Sequence, residues 1–253
     1  MVSVTSGPGL PGSLLVGISF AKALALSLNK PLLGINHIHS HIYANLLCHK
    51  NIKMPCVALI VSGGHTTLFY IKDFSTIKIV GQTQDDACGE AFDKVAKIMG
   101  MGYPGGPEIE KYALGANKHK IKFACCGTDD EFNFSFSGIK TAVLYALKDR
   151  KISVKLKKDL AASFQESAIN ALIRKSLSAC KRYGVKNLLI GGGVVANSSL
   201  RQKFTQSSQQ NTIKCFFPSM NLCMDNAAMV AGLASYLYKQ GARGNLNLSI
   251  EFN

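Results

Sequence analysis

Hydrophobic and polar positions along the chain follow two periods, one helical and one of strand type. Apolar residues recur at helical spacing over residues 14–28, 42–48, 91–99, 108–114, 142–148, 160–183, 196–204 and 226–238, which predicts helices there. Residues 31–35 read as a short strand running into the polar cluster 37–41. The unbroken apolar run 57–61, the turn Ser62-Gly63-Gly64-His65 and the alternating run 66–71 predict a hairpin whose turn exposes its backbone to a ligand. Residues 187–190 form a buried strand leading into Gly191-Gly192-Gly193. Residues 103–107 (YPGGP) are a cluster of helix breakers, and residues 115–138 are irregular. Strands alternating with helices, plus a hairpin, place the chain in the α/β or mixed-sheet class.

A 47% hydrophobic content over 253 residues is ample for a packed core. Basic residues number 29 against 15 acidic, a net charge of +14 that attracts phosphate-rich partners such as RNA. Only five of the 29 are Arg, however, and drift toward Lys in a chain rich in Ile and Asn accounts for the surplus equally well. The densest run, residues 148–158 (KDRKISVKLKK), reads as a solvated linker. Eight cysteines (Cys48, Cys56, Cys88, Cys125, Cys126, Cys180, Cys215, Cys223) contain no CxxC pair and read as reduced core residues. The apolar helix 14–28 carries Lys22 and falls short of the roughly 20 residues a bilayer span needs. A Gly/Pro turn stands where a basic leader belongs, so a soluble, cytoplasmic protein without a membrane partner is expected.

Three histidines in five residues, within Asn36-His37-Ile38-His39-Ser40-His41, are the first chemical signal. On a helix, His37 and His41 share one face, where two imidazoles can hold one ion of zinc or iron and leave positions open for substrate oxygens. A polar loop that happens to contain histidines is the other reading. HExxH is absent, which removes the general base of a zinc protease. Glycine turns at Ser62-Gly63-Gly64, at residues 103–106 and at Gly191-Gly192-Gly193 can cradle phosphate, although tight turns alone explain them as well. None fits GxxxxGK[ST] or a strand-coupled GxGxxG, so neither a P-loop nor a dinucleotide domain is supported. Asp93 and Glu110 lie near the middle turn, where they can hold ribose hydroxyls or simply be solvated.

The ordered segments NHIHSH, VSGGHTT, GEAFDKVAK, YPGGPEIEK, FSFSGIKT, GGGVVANSSLR and CMDNAAM resemble the TsaD family, once called glycoproteases, from Ser6-Gly7-Pro8-Gly9-Leu10 to about Ile250. The resemblance implies transfer of a threonylcarbamoyl group from threonylcarbamoyl-AMP to the exocyclic amine of the adenosine 3′ of the anticodon, in tRNAs reading ANN codons. It implies an actin-like, sugar-kinase-like two-lobed ATPase fold of the α/β class. His37, His41 and Asp225 become ligands of one divalent metal, iron in preference to zinc. Ile60, Val61, Ser62, Gly63 and Gly64 line the acyl-adenylate with their turn amides at its phosphate, Asp93 and Glu110 bind ribose, Gly106 lets the nucleotide approach, and Asn197 contacts the adenylate. The implied partners are tRNA and the proteins TsaB and TsaE. No general base is evident. An acyl-adenylate already carries a good leaving group, so orientation and charge stabilisation are what the site must supply.

Two departures from the family pattern stand out. Ser40 replaces the usual Ala or Gly, and the strand and turn of ETSCDE type that open the family are not found ahead of SGPGL. The expected organisation is therefore residues 1–52 as the remnant of a truncated first lobe with the His motif, 53–220 as the second lobe with the nucleotide turns, and 221–253 as the Asp ligand and a helix returning to the first lobe. Residues 1–253 alone are expected to be marginally soluble and weakly active, and Asp225 to double as a helix cap. The rival functions are an ATP-dependent kinase or ATPase of the same fold, and a non-catalytic scaffold or inactive fragment.

Overall fold

The computed structural model describes residues 1–121, 123, 130–147 and 153–251. The chain forms two compact units, Met1–Ile52 with Pro218–Asn253, and Lys53–Phe217. The first begins with β1 (Val2–Gly7), α1 (Pro11–Ser27), β2 (Leu32–Asn36) and α2 (His37–Cys48). The second holds β3 (Cys56–Val61), β4 (Thr66–Asp73), β5 (Thr76–Gln82), α3 (Cys88–Ile98), α4 (Gly105–Ala113), α5 (Ser137–Leu147), α6 (Val154–Arg182), β6 (Asn187–Gly191), α7 (Ser198–Gln210) and β7 (Lys214–Phe216). The chain then returns to the first unit with α8 (Ala227–Lys239).

In the first unit β1 and β2 pair in parallel, Val2 opposite Leu32 and Thr5 opposite Ile35, with α1 as their crossover. Helix α1 buries Leu14, Ile18, Ala21 and Ala25, a spacing that keeps one stripe against the sheet. The segment before α1 was expected to contain only a turn. Instead Ser6 and Gly7 complete a strand whose mixed sequence, VSVTSG, carries too little apolar signal to be read without its partner β2. The polar cluster 37–41 is likewise the start of α2, not a prelude to it. Asn36 caps that helix by accepting from His39 N–H at 3.0 Å, so helical geometry sets in at His37. The hydroxyl of Ser40 is buried and donates to the Asn36 carbonyl at 2.9 Å.

The second unit is built on a five-stranded sheet in the order β5-β4-β3-β6-β7. Central β3 is antiparallel to β4 and parallel to β6, and all six of its residues are buried, which is why its sequence is an unbroken apolar run. The predicted hairpin is present, with Val61 opposite Thr66. Strands β5 and β7 were not anticipated. β5 lies at a sheet edge with most of its residues solvent-facing or half-buried, and β7 spans three residues, so neither shows a strand period. The breaker cluster 103–107 only partly breaks: Gly105, Gly106 and Pro107 form the first turn of α4, where proline needs no hydrogen-bond partner for its nitrogen.

Residues 148–152 of the basic run lie outside the described residues, and from Val154 onward the run is helix, not linker. Among the described cysteines, Cys48 is exposed and Cys215 half-buried, so the expected core role holds only for Cys56, Cys88, Cys180 and Cys223. Cys125 and Cys126 lie outside the described residues. Among the described residues no helix is long and apolar enough to cross a membrane.

Candidate metal centre and nucleotide turns

In the first unit, α2 and α8 pack closely at Gly232, where a Cβ would come within 2.9 Å of the Leu47 and Tyr43 side chains. This approach sets the residues ahead of α8 beside the first turns of α2. Asp225 Oδ1 stands 3.1 Å from His41 Nε2 and 3.3 Å from His37 Nε2. The two imidazoles meet edge to face, with ring centroids 4.8 Å apart. One donor atom from each of the three residues fits within 4.8 Å of the others. His41 is 3% exposed along its side chain and Asp225 is 79% exposed, so the set is anchored on one side and open on the other.

These donors suit a transition metal. Metal–ligand bonds of about 2.1 Å at tetrahedral to octahedral angles put neighbouring ligand atoms about 3.0–3.4 Å apart, and both His–Asp separations lie in that range. Two imidazole nitrogens with one carboxylate oxygen favour iron or zinc over the oxygen-seeking magnesium and calcium. Three protein ligands also leave coordination positions open. The expectation that Asp225 caps the following helix is corrected: Asn226 does so, accepting from Met229 N–H at 2.9 Å, and the Asp225 carboxylate is not spent on that bond.

The nucleotide candidates all fall in the second unit, and a chain of close contacts gathers them. Gly192, at φ +96°, lies so near β3 that a Cβ would collide with the Val61 carbonyl, which joins the third glycine turn to residues 60–64. Gly89 at the start of α3 donates its N–H to the Ser62 carbonyl at 3.2 Å, and a Cβ there would sit 2.9 Å from Gly63 Cα. Asp93, one turn along α3, accepts from Gly105 N–H at 2.7 Å and so fixes the start of α4. Glu110 on α4 accepts from Ser198 N–H at 2.7 Å, reaching the start of α7. The three glycine turns that are far apart in sequence thus surround one region.

Within that region the glycines divide into two kinds. Gly89, Gly105 and Gly192 are packed against backbone, whereas a Cβ on Gly63, Gly64 or Gly106 would meet nothing within 4 Å. The second kind leaves backbone open for a ligand. Asp93 Oδ2 and Glu110 Oε2 accept no hydrogen bond among the described residues and remain available as acceptors.

Asn197 is held more tightly than its place after a glycine turn suggests. It is buried, its Oδ1 caps α7 by accepting from Leu200 N–H at 2.9 Å, and its Nδ2 donates to Gln165 Oε1 at 2.8 Å. Gln165 was not singled out from the sequence. Its signal is a polar residue on the stripe Ala161, Ala168 and Leu172 of α6, all buried, where an amide is costly unless hydrogen-bonded.

The profile of the family TsaD, tRNA N6-adenosine threonylcarbamoyltransferase, matches residues 1–232. A tRNA N6-adenosine threonylcarbamoyltransferase of Thermosipho africanus is 47% identical over 249 residues, covering 98% of this chain and 76% of its own. Proteins of the same name from Thermosipho melanesiensis and Clostridium kluyveri are 49% and 46% identical, with 78% and 74% of their lengths covered. Among solved structures, HypF of T. kodakarensis superposes with a TM-score of 0.71 at 15% identity over 94% of this chain, and a second HypF structure with 0.66 at 14% over 87%. The chain spans about two fifths of those HypF chains, 40% and 38%, and at such identity the likeness is one of fold, in keeping with the expected α/β class.

Proposed function

The chain belongs to the TsaD family of tRNA N6-adenosine threonylcarbamoyltransferases, transferases that modify tRNA, and from that membership we propose that it moves the threonylcarbamoyl group of threonylcarbamoyl-AMP to the exocyclic amine of the adenosine 3′ of the anticodon in tRNAs reading ANN codons. The observation that carries this reading is the convergence of three glycine turns with Asp93, Glu110 and Asn197 in one unit, where Gly63, Gly64 and Gly106 leave backbone open.

In this reading the amine lone pair attacks the carbamoyl carbon, the bond to the AMP phosphate oxygen breaks, AMP departs, and the amine proton passes to solvent. The turn amides of Gly63 and Gly64 stabilise charge on the phosphate; the Ser62 N–H is donated to the His65 carbonyl at 2.8 Å and so is not among them, and Ile60 and Val61 stand behind the turn as apolar wall. Asp93 and Glu110 bind the ribose, and Asn197 orients the adenylate. His37, His41 and Asp225 hold one divalent metal, iron in preference to zinc. Such a metal supplies Lewis-acid polarisation of bound oxygens. TsaB and TsaE are the proposed protein partners, and the cytoplasm is the proposed location.

The test is transfer from threonylcarbamoyl-AMP to unmodified tRNA, read by mass spectrometry of the digested nucleosides, with TsaB and TsaE supplied. Threonylcarbamoyladenosine formed by the native chain, and lost in Asp93→Ala and His41→Ala, supports the assignment. Tight ATP binding with no affinity for the acyl-adenylate would instead identify a kinase or ATPase of the same fold. A folded chain that binds neither would be a scaffold.

A further inference from the structure

The connection between α3 and α4 is built unlike the rest of the nucleotide region. It runs Gly100-Met101-Gly102-Tyr103-Pro104, and it presents Tyr103 at 86% exposure immediately before the Gly105 and Gly106 backbone. An aromatic ring this exposed gains nothing from the core. Two ammonium groups flank the connection. Lys97, exposed in the last turn of α3, lies four residues beyond Asp93 and therefore on the same face of that helix. Lys157, near the start of α6, places its Nζ 3.7 Å from where a Cβ on Gly100 would lie.

The carboxylates nearby are mostly engaged elsewhere. Asp93 holds Gly105 N–H, Asp159 is buried and holds Asn117 N–H, and Asp86 and Glu90 are paired with Lys94. Glu108 stands beside Gly102, its Cγ 3.5 Å from that glycine's Cβ position. Lys155 and Lys158 add two more exposed cations on the first turns of α6. The face combines an exposed ring with an excess of positive charge, at the rim of the candidate nucleotide region.

Such a combination recognises single-stranded nucleic acid, in which unstacked bases lie on aromatic rings and phosphates are met by lysines. We propose that this face docks the anticodon loop of the RNA substrate, with Tyr103 stacking on an unpaired base and Lys97 and Lys157 meeting the flanking phosphates. The inference rests on the tRNA-modifying reading above and gives it a location.

The experiment measures binding of an anticodon stem-loop RNA to the chain by fluorescence anisotropy across a salt series. Tyr103→Ala is expected to weaken binding roughly five- to hundred-fold, and Tyr103→Phe to stay within about twofold because the stacking face is kept. Lys97→Ala with Lys157→Ala should make the logarithmic salt slope shallower by about 1.4, at about 0.7 per single-stranded phosphate contact. Thermal melts check that each variant folds. Stem-loop binding by Tyr103→Ala equal to that of the native chain, or no stem-loop binding by the native chain, overturns the proposal. Native transfer activity with a silent Tyr103 sinks only the docking face, whereas Tyr103-dependent RNA binding without transfer sinks only the assigned reaction.

Discussion

Replacing Gln165 by leucine tests how Asn197 is held. The two amides are 7% and 8% exposed and share a 2.8 Å hydrogen bond, so Gln165→Leu leaves the Asn197 Nδ2 donor buried without its acceptor at nearly constant volume. That costs about 1–3 kcal/mol, or a fall in melting temperature of roughly 2–12 °C for a chain of this size. Asn197→Leu removes the same bond from the other side and also the α7 cap, which is worth about 1 kcal/mol more. In the double variant no buried amide is stranded, and only the lost cap, about 1 kcal/mol, should remain. The double-mutant cycle from denaturant unfolding should therefore show the pair less destabilised than the sum of the singles by at least about 2 kcal/mol. Threonylcarbamoyl-AMP titration of Gln165→Leu should also show weakened binding, since a released Asn197 no longer presents a fixed amide. Additivity of the two substitutions within about 0.5 kcal/mol would refute the idea that the amides act as a pair.

Three further outcomes follow from the same geometry. His37→Ala, His41→Ala and Asp225→Ala should each lose stoichiometric metal by elemental analysis, while metal-free Asp225→Ala, exposed and not a cap, should match the metal-free native chain in stability within about 0.5 kcal/mol. Gly63→Ala and Gly106→Ala should melt like the native chain yet bind acyl-adenylate poorly, because the added methyl enters the ligand's space; Gly192→Ala should cost at least about 1–2 kcal/mol from its positive φ alone, measured by denaturant unfolding. Partial burial pushes the Asp85 carboxyl up, but hydrogen bonds from Ser135, Ser137 and the Phe136 amide outweigh it and hold the group below its ordinary value. A carboxylate depressed in the folded state contributes stability that is present above its ordinary value and lost as pH falls through the folded one. Asp85→Asn should accordingly be less stable at neutral pH and show a flatter acid limb in a pH series of melts.

What the sequence by itself determined is local or repetitive. The helix under Leu14, Ile18, Ala21 and Ala25, the buried β3 and the hairpin turn at Ser62-Gly63-Gly64 each follow from a period or a turn residue within a few positions. The ordered motifs named the family and, through it, the candidate metal and nucleotide residues. Edge strand β5 and three-residue β7 escaped because their pairing is supplied by neighbours, not by their own pattern. Only the tertiary structure decided what those residues do to one another. His41 and Asp225 are 184 positions apart and meet because α2 packs on α8, and Asn226, one residue along, takes the cap expected of Asp225. The difference between an open Gly106 and a packed Gly105 is likewise invisible along the chain. It depends on which backbone lies a few ångströms away, and long-range packing alone sets that distance.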